Sequence, residues 1–405
     1  MRYRAISADG HVNEPPTLWT ERLPAKFKDR GPRVIETPKT KSHAWIMEGQ
    51  TRPSPLGFSS IYYRSSKRFD RASVIDGFRE IKDRGVRYDD IFPGSWDPIA
   101  RAKELDEDEI DAEVLFNGVQ TAWTGIKLCK DQELKLACFQ AYNEWMAEFQ
   151  AAAPDRFAGN ATLPTTGIDD CIDEMHRAVS MGLRTVQIES FPNGSFSELM
   201  PIDDRFWAAA VELDIPVNVH TQFVFAVGEL LGKGGIDHKK VKEHGIDLEA
   251  GSFPMILFRM ISSGVFERFP DLKLVGSEVW LGWIPYYLER FDHSVLRNRD
   301  SWDLPLLPSE YFRRNVSAVY IVDEAGVAEV NRYDIGIGNI MWGPDFPHSA
   351  SNWPVDYELG REILERSGAT PNEIDRIMWK NAADMFKFPY EPVAAEAVGA
   401  GVAGA

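Results

Sequence analysis

Cysteine is nearly absent from this chain, with only three in 405 residues, Cys129, Cys138 and Cys171. None forms a C-x-x-C pair, which excludes a disulfide framework and a thiolate metal cluster and leaves reduced structural thiols. No apolar run approaches the ~20 residues that cross a bilayer. The first residues, Met1-Arg2-Tyr3-Arg4, run straight into a strand without the apolar core of a secretory signal, so a cytosolic location is expected. Positive charge is also scarce: 45 Lys and Arg stand against 62 Asp and Glu, a net charge of −17. That balance disfavours nucleic acid and anionic membranes as partners, because both require basic patches to replace counterions. There is no solenoid or propeller repeat. What is abundant is core material: 44% apolar and 12% aromatic residues exclude a disordered chain.

Strand-like runs alternate with helical patterns along most of the length. The strands are Tyr3–Asp9, Ala112–Asn117, Phe157–Leu163, Thr185–Glu189, Pro216–His220, Leu272–Glu278, Val316–Val322 and Gly338–Trp342. Helical spacing fills the intervals at Ile99–Asp108, Gln132–Ala153, Ile168–Met181, Asp204–Leu213, Phe253–Phe269, Leu281–Val295, Glu324–Arg332 and Val355–Ser367. Eight such units predict an α/β fold, a parallel sheet with right-handed crossovers closed into a (β/α)8 TIM barrel. Runs of Val, Ile and Leu without strict alternation fit strands covered on both faces. Two long insertions interrupt the rhythm, 12–95 after strand one and 223–252 after strand five. Both follow strands and should rise over the catalytic face as lids or substrate walls. Within the first, Trp45–Gln50 reads as a short hairpin strand. Pro371–Phe388 reads as an extra helix, with Pro371 in its first turn. The expected organisation is one barrel domain over 1–390 and a flexible Ala/Gly-rich tail over 391–405. The acidic run Glu104–Asp111 reads as a solvated helix end.

Residues able to bind a divalent metal sit at three strand ends. Asp9 and His11 close the first strand, His220 the fifth, and Asp345 follows the eighth in Trp342-Gly343-Pro344-Asp345-Phe346-Pro347-His348. In a (β/α)8 barrel all strand C-termini meet on one face, so ligands distant in sequence become neighbours. The i, i+2 spacing of Asp9 and His11 points both side chains the same way in extended backbone. A carboxylate–imidazole donor set suits Zn²⁺, Mn²⁺ or Fe²⁺.

These blocks resemble the amidohydrolase superfamily, specifically the amidohydrolase-related group that includes enzymes similar to aminocarboxymuconate-semialdehyde decarboxylase. The matching segments run from Ser7-Ala8-Asp9-Gly10-His11-Val12-Asn13-Glu14-Pro15 to the 342–348 block. The resemblance implies that Asp9 and His11 take the place of the family's strand-one metal pair. It implies that His220 is the strand-five ligand, and that Asp345 is the strand-eight aspartate contacting metal and water. It implies a small-molecule substrate and a homodimer, although no sequence feature requires a dimer. One position departs from the pattern. Decarboxylases of the family carry a Gly-His motif after strand six, whereas here Gly276-Ser277-Glu278 places Glu278 where that histidine would be. A carboxylate there can ligate a metal, including a second one, or act as a base, but it is not a cationic proton donor. The expected activity is therefore metal-dependent hydrolysis of an amide, ester or thioester of a small organic acid derivative. In this scheme Asp345 accepts the proton of a metal-activated water, and His348 or Glu278 protonates the leaving group. The alternatives are non-oxidative decarboxylation of an aromatic or dienoic carboxylate, and a barrel that binds without catalysing. Glu14 reads as a loop residue bonding the backbone near Pro15-Pro16.

Overall fold

A computed structural model describes residues 3–56, 85–118, 122–195, 198–220, 253–333, 336–348 and 350–391. The insertion 223–252, residues 57–84 of the first insertion and the tail from 392 onward lie outside the described residues.

Eight parallel strands are arranged in chain order in a nearly closed (β/α)8 TIM barrel. They are β1 (Ile6–His11), β2 (Ala112–Phe116), β3 (Phe157–Thr162), β4 (Thr185–Gln187), β5 (Val217–His220), β6 (Leu274–Ser277), β7 (Val316–Tyr320) and β8 (Ile340–Trp342). The helices between and after them are α1 (Pro98–Glu107), α2 (Gln132–Ala152), α3 (Ile168–Ser180), α4 (Asp204–Glu212), α5 (Phe253–Ser262), α6 (Trp283–Arg297), α7 (Glu324–Tyr333) and α8 (Asp356–Arg366). Seven seams are ladders of two to four residue pairs. The eighth, between β8 and β1, is a single bridge between Gly10 and Phe346.

Local chemistry starts the helices where the pattern predicts them. Asp97 accepts the Ile99 and Ala100 amides ahead of Pro98 in α1, and Asp131 does the same for Glu133 and Leu134 in α2. Each such cap is worth about 1 kcal/mol. The apolar positions of α2 (Leu134, Cys138, Tyr142, Trp145, Phe149) recur at three- and four-residue steps, and all are buried. Burying each such side chain contributes about 1.5–3 kcal/mol.

Inside the barrel, Ile6, Ala8, Ala112, Val114, Ala158, Val275, Val319 and Met341 form a second core. Trp379, Ala382 and Phe386 join it from the C-terminal helical segment, beside Tyr3 at the start of the chain, and close the N-terminal end of the barrel. That segment is not one uniform helix: Pro371–Asp375 and Asn381–Phe386 flank a π turn at Arg376–Lys380.

Three details differ from the sequence expectation. The strand placed at Trp45–Gln50 is His43–Ile46, the middle of a three-stranded antiparallel sheet with Arg33–Glu36 and Ser54–Pro55. Gln50 accepts the Met47 amide through its side chain and turns the chain there. The helix at Phe253–Phe269 breaks at Gly264 (φ 74°), leaving α5 and a separate turn at Val265–Arg268. The acidic run is not all solvated, because Glu104 and Asp108 lie on the buried face of α1 with Arg101 and Leu105.

Candidate metal centre

The side chains of β1 owe their direction to a bulge. Ser7 pairs with Glu113 but Gly10 pairs with Leu115, so β1 advances three residues while β2 advances two. A bulge of this kind re-aims the side chains beyond it. Ile6 and Ala8 face the barrel interior, and beyond the bulge Asp9 and His11 also reach the site at its mouth. There His11 Nε2 lies 3.1 Å from His220 Nε2, 3.5 Å from Asp9 Oδ1 and 3.2 Å from Asp345 Oδ1. His220 Nε2 is 3.4 Å from Asp9 Oδ1. Two overlapping groups among the described residues can hold a cation, Asp9–His11–His220 and His11–Asp345–His348.

The donor set itself supports a cation. Both Asp9 oxygens are fully buried and accept no hydrogen bond, the nearest polar groups being the His11 and His220 rings, and a buried carboxylate left without hydrogen bonds is costly. His11 Nδ1 lies 2.8 Å from the Asn117 carbonyl and donates to it in the neutral ring. That tautomer leaves the Nε2 lone pair facing the cluster. Burial alone would raise the Asp9 carboxyl, but the His220 and His11 rings outweigh it and hold Asp9 below its usual range. Burial likewise opposes the charge on Asp345, yet His348 and His11 bring it well below the ordinary carboxyl value. Burial works against a charged His11, and Asp345 and Asp9 more than reverse that, pushing its pKa well up. A bound cation would supply positive charge to the same pair of buried carboxylates.

Asp345 sits at φ 64°, a left-handed conformation that costs a non-glycine residue of order 1 kcal/mol or more. Its amide donates to the Asp9 carbonyl at 3.0 Å, and its Oδ1 is 2.8 Å from His348 Nδ1. His348 in turn stacks on His11 with ring centres 4.0 Å apart. Glu278, also left-handed at φ 57°, reaches within 3.8 Å of His220 Nε2 but belongs to neither three-residue group.

The sequence alone passes over Asn117, Gln187 and Phe116. Asn117, read only as the end of a strand, orients His11 through its backbone, and Gln187 donates to its side chain at 2.8 Å. Phe116 packs within 5.7 Å of His11 and 5.1 Å of His220 and forms the apolar wall. Its place as the last residue of β2 was the available signal. Glu14 is fully buried and bonds across to the Gly118 amide and the Trp123 indole, not to Pro15-Pro16.

The amidohydrolase family profile matches residues 93–388, well over half of the chain. The chain belongs to the amidohydrolase family. The match begins after β1 and does not include Asp9 and His11, whose place in the site rests on the geometry. Among curated relatives, 2-amino-3-carboxymuconate-6-semialdehyde decarboxylase of Dictyostelium discoideum is 25% identical over 299 residues, covering 72% of this chain and 77% of the relative. Gamma-resorcylate decarboxylase of Rhodococcus jostii is 25% identical over 316 residues, covering 71% and 86%. Among solved structures, an amidohydrolase from Mycobacterium avium subsp. paratuberculosis superposes with a TM-score of 0.71 at 21% identity, over 95% of this chain and all of the other. A dihydroxybenzoic acid decarboxylase from Polaromonas, with bound manganese and 2-nitroresorcinol, gives 0.61 at 18% identity, over 96% and 97%. At these identities the structural likeness establishes the fold.

The chain is an enzyme of the amidohydrolase superfamily, and its divalent-metal site is built from carboxylate and imidazole donors. The hydrolytic expectation, with its amide, ester and thioester substrates, is overturned because the matched relatives are decarboxylases. The error lay in the weight given to Glu278. A carboxyl group in its protonated form is also a proton donor, so replacing histidine by glutamate does not separate the two chemistries.

Proposed function

We propose that this enzyme is a metal-dependent, non-oxidative decarboxylase of a small aromatic carboxylate. The observation that carries the reading is the convergence of Asp9, His11, His220 and Asp345 at the mouth of a barrel whose curated relatives are decarboxylases. Those four residues would hold the divalent ion. When bound, such an ion would supply Lewis-acid stabilisation of negative charge on substrate oxygens.

The chain's own residues do the rest. The Asn117 carbonyl keeps His11 in the tautomer that offers Nε2. Phe116 gives the ring an apolar wall and excludes water from one side. His348, bonded to Asp345 and stacked on His11, holds the aspartate in one orientation. Glu278 is assigned the proton. Its side chain is 17% exposed, so it can be reprotonated from solvent while facing His220. The proton adds to the ring carbon bearing the carboxylate. The bond to that carboxylate then breaks, its electron pair returns to the ring, and CO₂ leaves. We also propose a single catalytic domain over 1–390 and a homodimer.

The test is turnover by the Mn²⁺-loaded protein of a panel of hydroxybenzoates, including 2,6-dihydroxybenzoate and 5-carboxyvanillate, followed by chromatography and CO₂ release. A parallel panel of aryl esters and anilides should be inert. Ester or anilide cleavage without any decarboxylation would remove the proposal.

A further inference from the structure

The metal-site residues straddle the weakest seam of the barrel. Asp9 and His11 are on β1, Asp345 follows β8, and one bridge, from Gly10 to Phe346 just past the end of β8, joins them where every other neighbouring pair of strands shares a ladder. The junction is carried by two backbone bonds, His11 N to the Phe346 carbonyl at 2.7 Å and Asp345 N to the Asp9 carbonyl at 3.0 Å. Directly behind it lies an ion pair that is wholly shielded from solvent: Arg101 of α1 and Glu113 of β2 are both 0% exposed, with Nε 2.7 Å from Oε2.

Arg101 does more than neutralise Glu113. One Nη donates to the Phe346 carbonyl at 2.9 Å, the same oxygen that accepts the His11 amide. Its guanidinium also lies 4.5 Å from the centre of the Phe346 ring. Glu113 fills the space against Gly10 so closely that a Cβ there would fall 1.9 Å from Glu113 Oε1. The pair therefore grips both sides of the junction, the carbonyl next to Asp345 and the backbone between Asp9 and His11. A buried ion pair is weak evidence for stability, since apolar replacements of similar volume are often neutral or stabilising. Its geometry here fixes a position.

We propose that Arg101 and Glu113 are positioning residues for the metal centre, clamping the β8–β1 junction so that Asp345 and His11 keep their mutual placement. The inference rests on the metal-centre reading above. Both strands end in groups that a cation must meet at once, and without the clamp a single bridge would set their separation.

The experiment measures Mn²⁺ affinity by titration calorimetry and the Mn²⁺ EPR spectrum, both well below the unfolding temperature. It uses the full chain as wild type, the double variant Arg101→Met/Glu113→Gln, Arg101→Lys and Asp9→Asn. The double variant leaves no unpaired buried charge but removes the grip on the carbonyl. Arg101→Lys keeps a cation beside Glu113 without the forked second donor, and it decides the matter if the double variant does not fold. Folded clamp variants are expected to bind Mn²⁺ about 10–100-fold more weakly with an altered EPR line shape, the range seen when groups supporting metal ligands are removed. Asp9→Asn is expected to lose high-affinity binding. Wild-type affinity and spectrum in a folded clamp variant, with Asp9→Asn impaired, would overturn the clamp and leave the metal centre standing. Wild-type affinity in Asp9→Asn would overturn the metal centre and the clamp with it.

Discussion

Gly343, two residues before Asp345, offers a sharp test of how closely the site is packed. An added Cβ would stand 2.5 Å from the Asp9 amide nitrogen, 2.6 Å from Asp9 Cβ and 3.0 Å from its Cα. These are backbone and first-carbon atoms of Asp9, so no flexible side-chain end can move aside. Reaching ordinary van der Waals contact requires β1 and the 343–346 segment to part by roughly 1 Å, and overpacking of this kind costs about 1–3 kcal/mol. A displacement of that size at a reacting centre costs about a hundredfold in rate. Gly343→Ala should therefore lower the unfolding midpoint, weaken Mn²⁺ binding and reduce kcat together. The control is Gly338→Ala, where an added Cβ meets nothing within 4 Å and φ is not left-handed. Calorimetry and steady-state kinetics on both variants read the outcome. If Gly343→Ala matched Gly338→Ala in metal affinity and midpoint, the proposed apposition of β1 and the 343–346 segment would be wrong.

Four further outcomes follow from the same geometry. Glu278→Gln should lower kcat by about 10²–10⁴ with Mn²⁺ affinity unchanged; a turnover number close to wild type would reassign the proton. His11→Ala and Asp345→Asn should each abolish turnover while circular dichroism stays native, and activity in either would remove the metal mechanism. Stripping the protein with a chelator should lower its unfolding midpoint, and Mn²⁺ at a hundred times Kd should restore about 2.7 kcal/mol, a gain His11→Ala should not show. Burial and the neighbouring Asp356 push the Asp108 carboxyl up to about 9, and burial raises Asp356 to about 6. The folded state then keeps a proton that the unfolded chain releases near pH 4, so stability falls as pH rises from about 4 to about 9. Asp108→Asn mimics the protonated form and can still accept the Tyr357 amide, so denaturant titrations across that range should show a flatter slope; an unchanged slope would refute the assignment.

The barrel was legible because its signals are local. Runs such as Val114-Leu115-Phe116, capping residues such as Asp97 and Asp131, and strand-end polar groups can all be read within a few positions. What was missed depends on contacts between distant segments. Nothing in Ser7–Gly10 announces a bulge, since its register is set by pairing with Glu113 and Leu115 about a hundred residues later. Glu104, Asp108 and Arg101 look like an ordinary charged helix surface, yet the face they share is covered by β2 and by the loop leading into α8. Glu278 was read as favouring hydrolysis, and the matched relatives are decarboxylases, because spacing reveals a carboxyl group and not the reaction in which it serves.

These two kinds of information divide the site in a physically consistent way. The side chains proposed to touch the cation (Asp9, His11, His220, Asp345) stand at or near strand ends, a position that can be read from the chain alone. The groups proposed to hold them in register are buried: the Arg101 side chain on the Phe346 carbonyl, the Glu113 side chain against Gly10, and the backbone carbonyl of Asn117 on His11 Nδ1. A buried polar group is retained only with partners, and one partner of Arg101 is the backbone of the segment that carries Asp345. Shifting one such segment therefore costs hydrogen bonds in the buried layer as well as at the metal. It follows that substitutions in this layer should change metal affinity out of proportion to their effect on global stability, whereas substitutions in the apolar faces of α2 should do the reverse.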